Sequence, residues 1–238
     1  MHLLVAGSSS GIGETVARRL VGACHRVVLM ARRSAELRGL ADELDPEQNN
    51  RVICVPGDVG HWSDCKKAVD EGVAAFGHLD GLVNAAGAWV EDPLDEADAN
   101  DIAGFIETDV AGATYITKAI LPVLRKSGFG RIVHINGLQG LIRQRPPVLY
   151  AAVEAAVRGL CESLRWEAAT YGVHVSLLTL GGVANTDPDD TPQNKLRHPE
   201  RGHLLNRGEV ADAILYIMDR PAGVNIDEIV LTPLGQKF

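Results

Sequence analysis

The sequence predicts one α/β domain spanning residues 1–238, a doubly wound parallel sheet with helices on both faces, and three observations predict it. Short β-branched apolar runs alternate with segments whose apolar residues recur at three and four spacing. The chain opens on an apolar run, a glycine-rich turn and an amphipathic pattern, L-L-V-A-G-S-S-S-G-I-G and then T-V-A-R-R-L. Its 238 residues, 46% of them hydrophobic, are enough for one large core. Alternation of this kind implies parallel strands joined by right-handed crossovers and covered on both faces.

The opening stretch Leu3 to Gly13 reads as a buried strand passing through a phosphate-cradling loop into a helix. Gly7 permits the tight turn, Gly11 lets backbone approach a pyrophosphate, and Gly13 lets the helix sit close on the sheet. The first helical N–H groups and the helix dipole favour a negative ligand there. A tight left-handed turn with no ligand is the plainer alternative. The second strand, Val27 to Met30, ends in Ala31, Arg32 and Arg33. An acidic residue there would hold the ribose 2′-hydroxyl of NAD, whereas arginine suits the 2′-phosphate of NADP, so NADP(H) is the expected cofactor. Two solvated arginines at a helix start are the alternative.

Later strands are expected at Val52–Val55, Gly81–Asn84, Arg131–Ile135, Val173–Leu178 and Glu228–Leu231, each short and bounded by Gly, Pro, Asp or Asn. Helices are expected at Ser34–Leu44, Ser63–Phe76, Ile102–Leu124, Leu149–Tyr171 and Gly208–Asp219. Two polar stretches break the rhythm, Ala88–Ala99 and 185–206, and loops of that length are expected to bind or cover a ligand; 185–206 is expected to cover the substrate.

A net charge of −8 and a pI near 5.5 argue against nucleic acid or anionic membrane as a partner. No apolar run approaches ~18 residues, so neither a signal peptide nor a membrane span is expected, and the expected location is cytoplasmic. Cys24, Cys54, Cys65 and Cys161 form no C-x-x-C pair and read as small hydrophobes. His198 and His203 stand in a polar loop without neighbouring ligands, and no metal site is expected.

The opening A-G-S-S-S-G-I-G, G-D-V at Gly57–Val59, V-N-A-A-G at Val83–Gly87, and Tyr150 at the start of a long helix together resemble the short-chain dehydrogenase/reductase family over the length of the chain. The tail R-P-A-G-V-N-I-D-E-I-V-L-T-P-L-G-Q resembles the branch holding NADP-dependent serine or 3-hydroxy acid dehydrogenases and clavulanic acid dehydrogenase. The resemblance implies a Rossmann-like fold and a dinucleotide held by Gly7, Ser9, Ser10, Gly11, Ile12, Gly13, Arg32 and Arg33. It further implies that Asp58 bonds the adenine, that Val59 lies against it, and that Asn84, Ala85 and Gly87 meet the cofactor at the fourth strand. Gly181 and Val183, in L-G-G-V-A-N-T, match the family's P-G-x-V-x-T. Asp58 read alone could equally be a helix cap.

At the reaction centre the sequence departs from the family, which uses an Asn, a Ser, a Tyr and a Lys. Tyr150 matches; Asp109 stands at the Asn position, Gly137 at the Ser position and Glu154 at the Lys position. By resemblance these four are the catalytic positions, and Tyr150 and Glu154 also face the nicotinamide ribose. Tyr150 and Glu154, four apart on a helix, share a face, so an ionised Glu154 would raise the tyrosine pKa, and Asp109 beside it would leave two carboxylates sharing a proton. Gly137 removes one hydrogen-bond donor from the carbonyl site. Two readings follow: an atypical NADP(H)-dependent oxidoreductase acting on a small carbonyl or alcohol, or a non-redox or non-catalytic relative (a pseudoenzyme, a partner subunit or a cyclase-like catalyst). Gly137 and Gly140 would open the pocket, with Gln139, Arg143 and Arg145 near it, and an anionic or polar ligand is conceivable. Ala151, Ala152, Ala155, Ala156 and Gly159 narrow the helix after Tyr150, as close contact across a two-fold axis requires, so a homodimer or homotetramer is expected, the alternative being packing within one subunit.

Overall fold

The computed structural model describes residues 1–90, 92–138, 147–184 and 204–234. Seven strands, β1 (His2–Ala6), β2 (Arg26–Ala31), β3 (Val52–Pro56), β4 (Gly81–Asn84), β5 (Gly130–Gly137), β6 (Val173–Leu180) and β7 (Glu228–Leu231), form one sheet in the order β3-β2-β1-β4-β5-β6-β7. Every pairing is parallel, and β1 is an inner strand beside the central β4: Leu3 lies beside Val27 on one side and Gly81 on the other. Between them run helices α1 (Gly11–Gly22), α2 (Ser34–Leu44), α3 (Trp62–Phe76), α4 (Ala99–Ile106), α5 (Gly112–Ser127), α6 (Val148–Ala169) and α7 (Arg207–Met218).

Alternate residues of each strand serve opposite faces. Leu3, Val5, Val27 and Leu29 pack with Val16 and Leu20 of α1, Leu37 of α2 and Ile214 of α7. Leu4, Ala6, Val28 and Met30 pack with Cys65 and Val69 of α3, Ile116 and Ile120 of α5 and Cys161 of α6. Each Val, Leu, Ile or Met among them, fully withdrawn from water, contributes about 1.5–3 kcal/mol. Past their first residues β1 and β2 are therefore apolar on both faces, and the expected doubly wound Rossmann-like fold is the one observed.

The winding reverses between β1 and β4: β2 and β3 lie to one side, β5 to β7 to the other. A crevice opens there beyond the carboxyl ends of the strands, the place where open α/β sheets bind ligands.

One expectation needs correction. Ile102–Leu124 is not a single regular helix: α4 ends at Ile106, a π-helical segment runs Glu107–Ala111, and α5 starts at Gly112. The threefold and fourfold apolar spacing continues on both sides, so periodicity gives no sign of the wider turn. Its placement is functional in character, since it carries Asp109 and π-turns concentrate at functional sites. Of α6's small residues, Ala152, Ala155, Ala156 and Gly159 are exposed and Ala151 half-buried, so within one subunit this face is not covered.

Candidate active site

The β1–α1 loop is shaped by backbone fit. Gly7 has φ +78, and a Cβ on it would stand 2.5 Å from the Ala85 carbonyl oxygen and the Ala86 nitrogen, so only glycine lets the loop cross the end of β4. A Cβ on Gly13 would stand 2.3 Å from the Gly7 carbonyl oxygen, so Gly13 packs the helix start onto the loop itself. Gly11, at φ +60, has open space where its Cβ would be. The loop thus leaves a cradle at a helix N-terminus with no side chain at Gly7 or Gly11, which fits a pyrophosphate.

From this cradle a groove runs across the sheet end. Gly7, Ser9, Ser10, Gly11, Ile12, Arg32, Arg33, Asp58, Val59, Ala85, Gly87 and Val183 all line it. Gly13 supports it from below. Of the two arginines, Arg33 is tied to the loop: its Nε and one terminal nitrogen donate to Ser9 Oγ at 3.2 and 3.0 Å, and the latter also donates to Ser10 Oγ. Arg32 is largely exposed and stands 3.7 Å from Asp58 Oδ2. Asp58 Oδ1 accepts the Gly60 N–H at 2.9 Å, so this carboxylate also organises its own turn. A Cβ on Gly112 would come within 2.7 Å of Val59, which places the start of α5 directly against the groove wall.

Asn84 departs from its expected position. Its side chain is turned into the sheet: Oδ1 accepts the Ala86 N–H at 3.3 Å, which leaves Nδ2 to donate to His134 Nδ1 at 3.2 Å. His134 Nε2 then carries the proton and donates to Thr117 Oγ1 at 2.9 Å. His134 is wholly buried, and loss of solvation lowers its pKa to about 4, so it is neutral. Asn84 is thus a strut linking β4, β5 and α5 rather than a wall of the groove.

The groove continues into a second cavity that shares Ile12, Ala85, Gly87 and Val183 with it and is further lined by Asp109, Asn136, Gly137, Tyr150, Glu154 and Gly181. The four catalytic positions named from the sequence meet here. Glu154 is buried on α6; its Oε2 accepts the Gly137 N–H at 2.6 Å, and its carboxylate accepts the Tyr150 hydroxyl. Burial raises the Glu154 pKa, and these two donors oppose the rise. Asp109 Oδ2 accepts the Ala88 N–H at 2.8 Å. Burial pushes its pKa up to about 7, the Ala88 N–H opposes that, and the charge of Glu154 adds to it. Asp109 therefore titrates near neutral pH in the cavity that also holds Glu154 and the Tyr150 hydroxyl, and burial shifts Glu154 in the same direction.

Aromatic packing around Tyr150 is a feature the motifs did not reveal. Its ring stacks on Phe105 at 5.7 Å and meets Trp89 at 4.5 Å. The one available signal was Trp89's place in the polar stretch Ala88–Ala99, already marked for binding. Arg207 also lines the groove unforeseen; a cation opening a helix opposes the dipole, and that was its signal. Gln139, Gly140, Arg143 and Arg145, and all of 185–206 except Leu204, Leu205 and Asn206, lie outside the described residues. Among the described residues one group of metal-capable side chains, His2, His78 and Asp80, gathers at the opposite end of the sheet, where Asp80 Oδ2 accepts the His2 N–H at 2.7 Å.

The chain matches the short chain dehydrogenase family over residues 1–195 and belongs to that family. It is similar to serine dehydrogenase from Escherichia coli, 26% identical with a TM-score of 0.85 and all of both chains covered. The closed form of serine dehydrogenase complexed with NADP+ is 27% identical, TM-score 0.85, covering 100% of this chain and 97% of that one. An alcohol dehydrogenase from the archaeon Thermococcus sibiricus, complexed with 5-hydroxy-NADP, is 26% identical, TM-score 0.85, covering 99% and 97%. An uncharacterized oxidoreductase of Staphylococcus saprophyticus is 29% identical over 231 residues, 97% of this chain and 96% of the relative. The chain is an oxidoreductase of the short-chain type, and two of these solved neighbours are complexed with NADP+ or 5-hydroxy-NADP. No helix among the described residues is long and apolar enough to cross a membrane.

Proposed function

We propose that this short-chain dehydrogenase is an NADP(H)-dependent oxidoreductase of a small molecule in which Asp109, Tyr150 and Glu154 replace the family's usual proton apparatus. The observation that carries the reading is the meeting of both carboxyl groups, the Tyr150 hydroxyl and the Gly137 N–H in one cavity continuous with the phosphate cradle. The dinucleotide, when bound, supplies the hydride chemistry. The β1–α1 loop holds its pyrophosphate, and Arg33, with Arg32 beside it, reads the 2′-phosphate. Glu154 accepts from the ribose hydroxyls as readily as an ammonium donates to them. The proton retained by the Asp109–Glu154 pair is the acid of the reaction, passed directly or through Tyr150, and the pair titrates as a unit.

One observation favours the non-redox alternative: the Tyr150 hydroxyl is already given to Glu154. Titration with NADPH followed by fluorescence separates the two, because a chain that binds no dinucleotide is not a redox enzyme. Glu154→Gln with full turnover and an unchanged pH profile excludes the acid role, whereas Tyr150→Phe measures any share routed through the hydroxyl. Restoration of ordinary carbonyl reduction by Gly137→Ser with Glu154→Lys would show that only catalytic side chains separate this chain from its relatives. We further assign a cytoplasmic homodimer or homotetramer joined through the exposed small face of α6; a monomeric mass by light scattering at micromolar concentration removes that assignment.

A further inference from the structure

We propose that the substrate carries its reacting centre at nitrogen: an imine on the oxidised side of the reaction and the corresponding amine on the reduced side. The inference rests on the dinucleotide reading above and names the substrate class for the same cavity. The described lining of the cavity holds two carboxyl groups, Asp109 and Glu154, and no Lys, Arg or His. Reduction of a carbonyl builds negative charge on oxygen and needs donors aimed at it. Here the Gly137 N–H and the Tyr150 hydroxyl are both committed to Glu154, so the donors serve a carboxylate and leave little for an alkoxide.

An imine reverses those requirements. Its nitrogen is far more basic than a carbonyl oxygen, and its reactive form is the cation. The Asp109–Glu154 pair gives its proton to the imine nitrogen and becomes the counter-ion of the iminium so formed. The iminium carbon then accepts hydride from the reduced nicotinamide dinucleotide, and the C=N π pair becomes the lone pair of the amine nitrogen. Water returns a proton to the carboxyl pair, so imine, reduced dinucleotide and one proton give amine and oxidised dinucleotide. Relative to a neutral imine in water, this stabilises the positive charge that the transition state still carries.

Two further features suit an N–H cation. Trp89, 56% exposed, lines the same cavity as the carboxyl groups, and a cation there is attracted to its ring. Asn136 also lines the cavity, is 3% exposed, and among the described residues its amide oxygen has no donor, so it is an acceptor in need of an N–H.

The test is calorimetric titration of the full chain, saturated with NADPH, by piperidine, by its neutral isostere tetrahydropyran and by cyclohexanecarboxylate. NADPH with an amine cannot turn over, so binding is read alone. The expected result is piperidine tighter than tetrahydropyran by at least about tenfold, with the carboxylate weakest. Asp109→Asn and Glu154→Gln should each cut that preference by about threefold or more. Equal binding of piperidine and tetrahydropyran, or tighter binding of the carboxylate, overturns the inference, and the wild-type comparison decides even where a variant does not fold. Repeating the series without dinucleotide keeps the readings apart: failure to bind NADPH overturns the proposed cofactor while the amine preference stands on the carboxyl groups alone, and loss of the preference with NADPH still bound overturns only the substrate class.

Discussion

The two ends of the groove are built from different materials. At the phosphate end the shape comes from main chain: Gly7 against Ala85 and Ala86, Gly13 against Gly7, open space at Gly11. At the reaction end it comes from side chains, with Glu154 on the Gly137 N–H, Asp109 on the Ala88 N–H and Tyr150 between Trp89 and Phe105. A main-chain fit admits few residue types, because the offending atoms cannot move aside. A side-chain arrangement can exchange one acid or base for another while the strand ends and α6 stay in place. Cofactor recognition and proton chemistry are thereby separable within one crevice.

The largest effect expected is on the main-chain end. Gly7→Ala forces a Cβ to 2.5 Å from backbone atoms at φ +78 and should cost about 3 to 5 kcal/mol in urea unfolding, together with dinucleotide binding. Survival of Gly7→Ala with near-native stability would break the contrast. At the other end, Asp109→Asn keeps an acceptor for the Ala88 N–H but removes a titrating group whose pKa rises from 3.8 to about 7. The native state holds that proton more tightly than the unfolded state, so the stabilisation it brings is complete below pH 3.8 and is lost as pH rises through about 7. His134 acts in the opposite sense: its pKa falls from 6.5 to about 4, so its contribution is present above pH 6.5 and is lost as pH falls towards 4. The two nearly cancel over the shared window. Asp109→Asn should therefore unmask a loss of about 1 to 3 kcal/mol on acidification from pH 6.5 to 4, read by denaturant melts.

Arg33→Ala sharpens the contrast from the cofactor side. It should weaken NADPH by about 1.5 to 3 kcal/mol and NADH little, and Arg32→Ala should act in the same direction but less, since Arg32 is exposed and faces Asp58. Equal losses for both dinucleotides would mean that neither arginine reads the 2′-phosphate. The smallest effect on stability, about 1 kcal/mol, is expected for Gly11→Ala, whose Cβ meets nothing within 4 Å. Its cost should appear in NADPH affinity, because the added methyl occupies the cradle.

The main-chain end was legible from sequence because its rules are local. Three glycines at fixed spacing after an apolar run dictate a turn, and alternate apolar runs dictate the strands around it, which fall within two residues of expectation for β2 to β7. The reaction end was legible as a set of positions but not as an arrangement. Asn84 was expected to face the cofactor, yet its direction is set by His134, far along the chain on β5, whose ring needs a donor once buried. Trp89, Phe105 and Tyr150 come from separate segments, and no spacing announces that they meet. The π segment was invisible because one wide turn barely disturbs a helical period.

That wide turn has a consequence for chain length. A π turn holds one residue more than the α turn it replaces, so shortening Glu107–Ala111 by a single residue would restore an uninterrupted α-helix from α4 into α5. The residues before the deletion would rotate by about 100° and advance about 1.5 Å relative to α5. The helix, the sheet and the buried faces of α5 would remain, while Asp109 and Phe105 would swing away from Tyr150. One codon gained or lost there can rebuild the reaction end of the crevice and leave the phosphate cradle untouched.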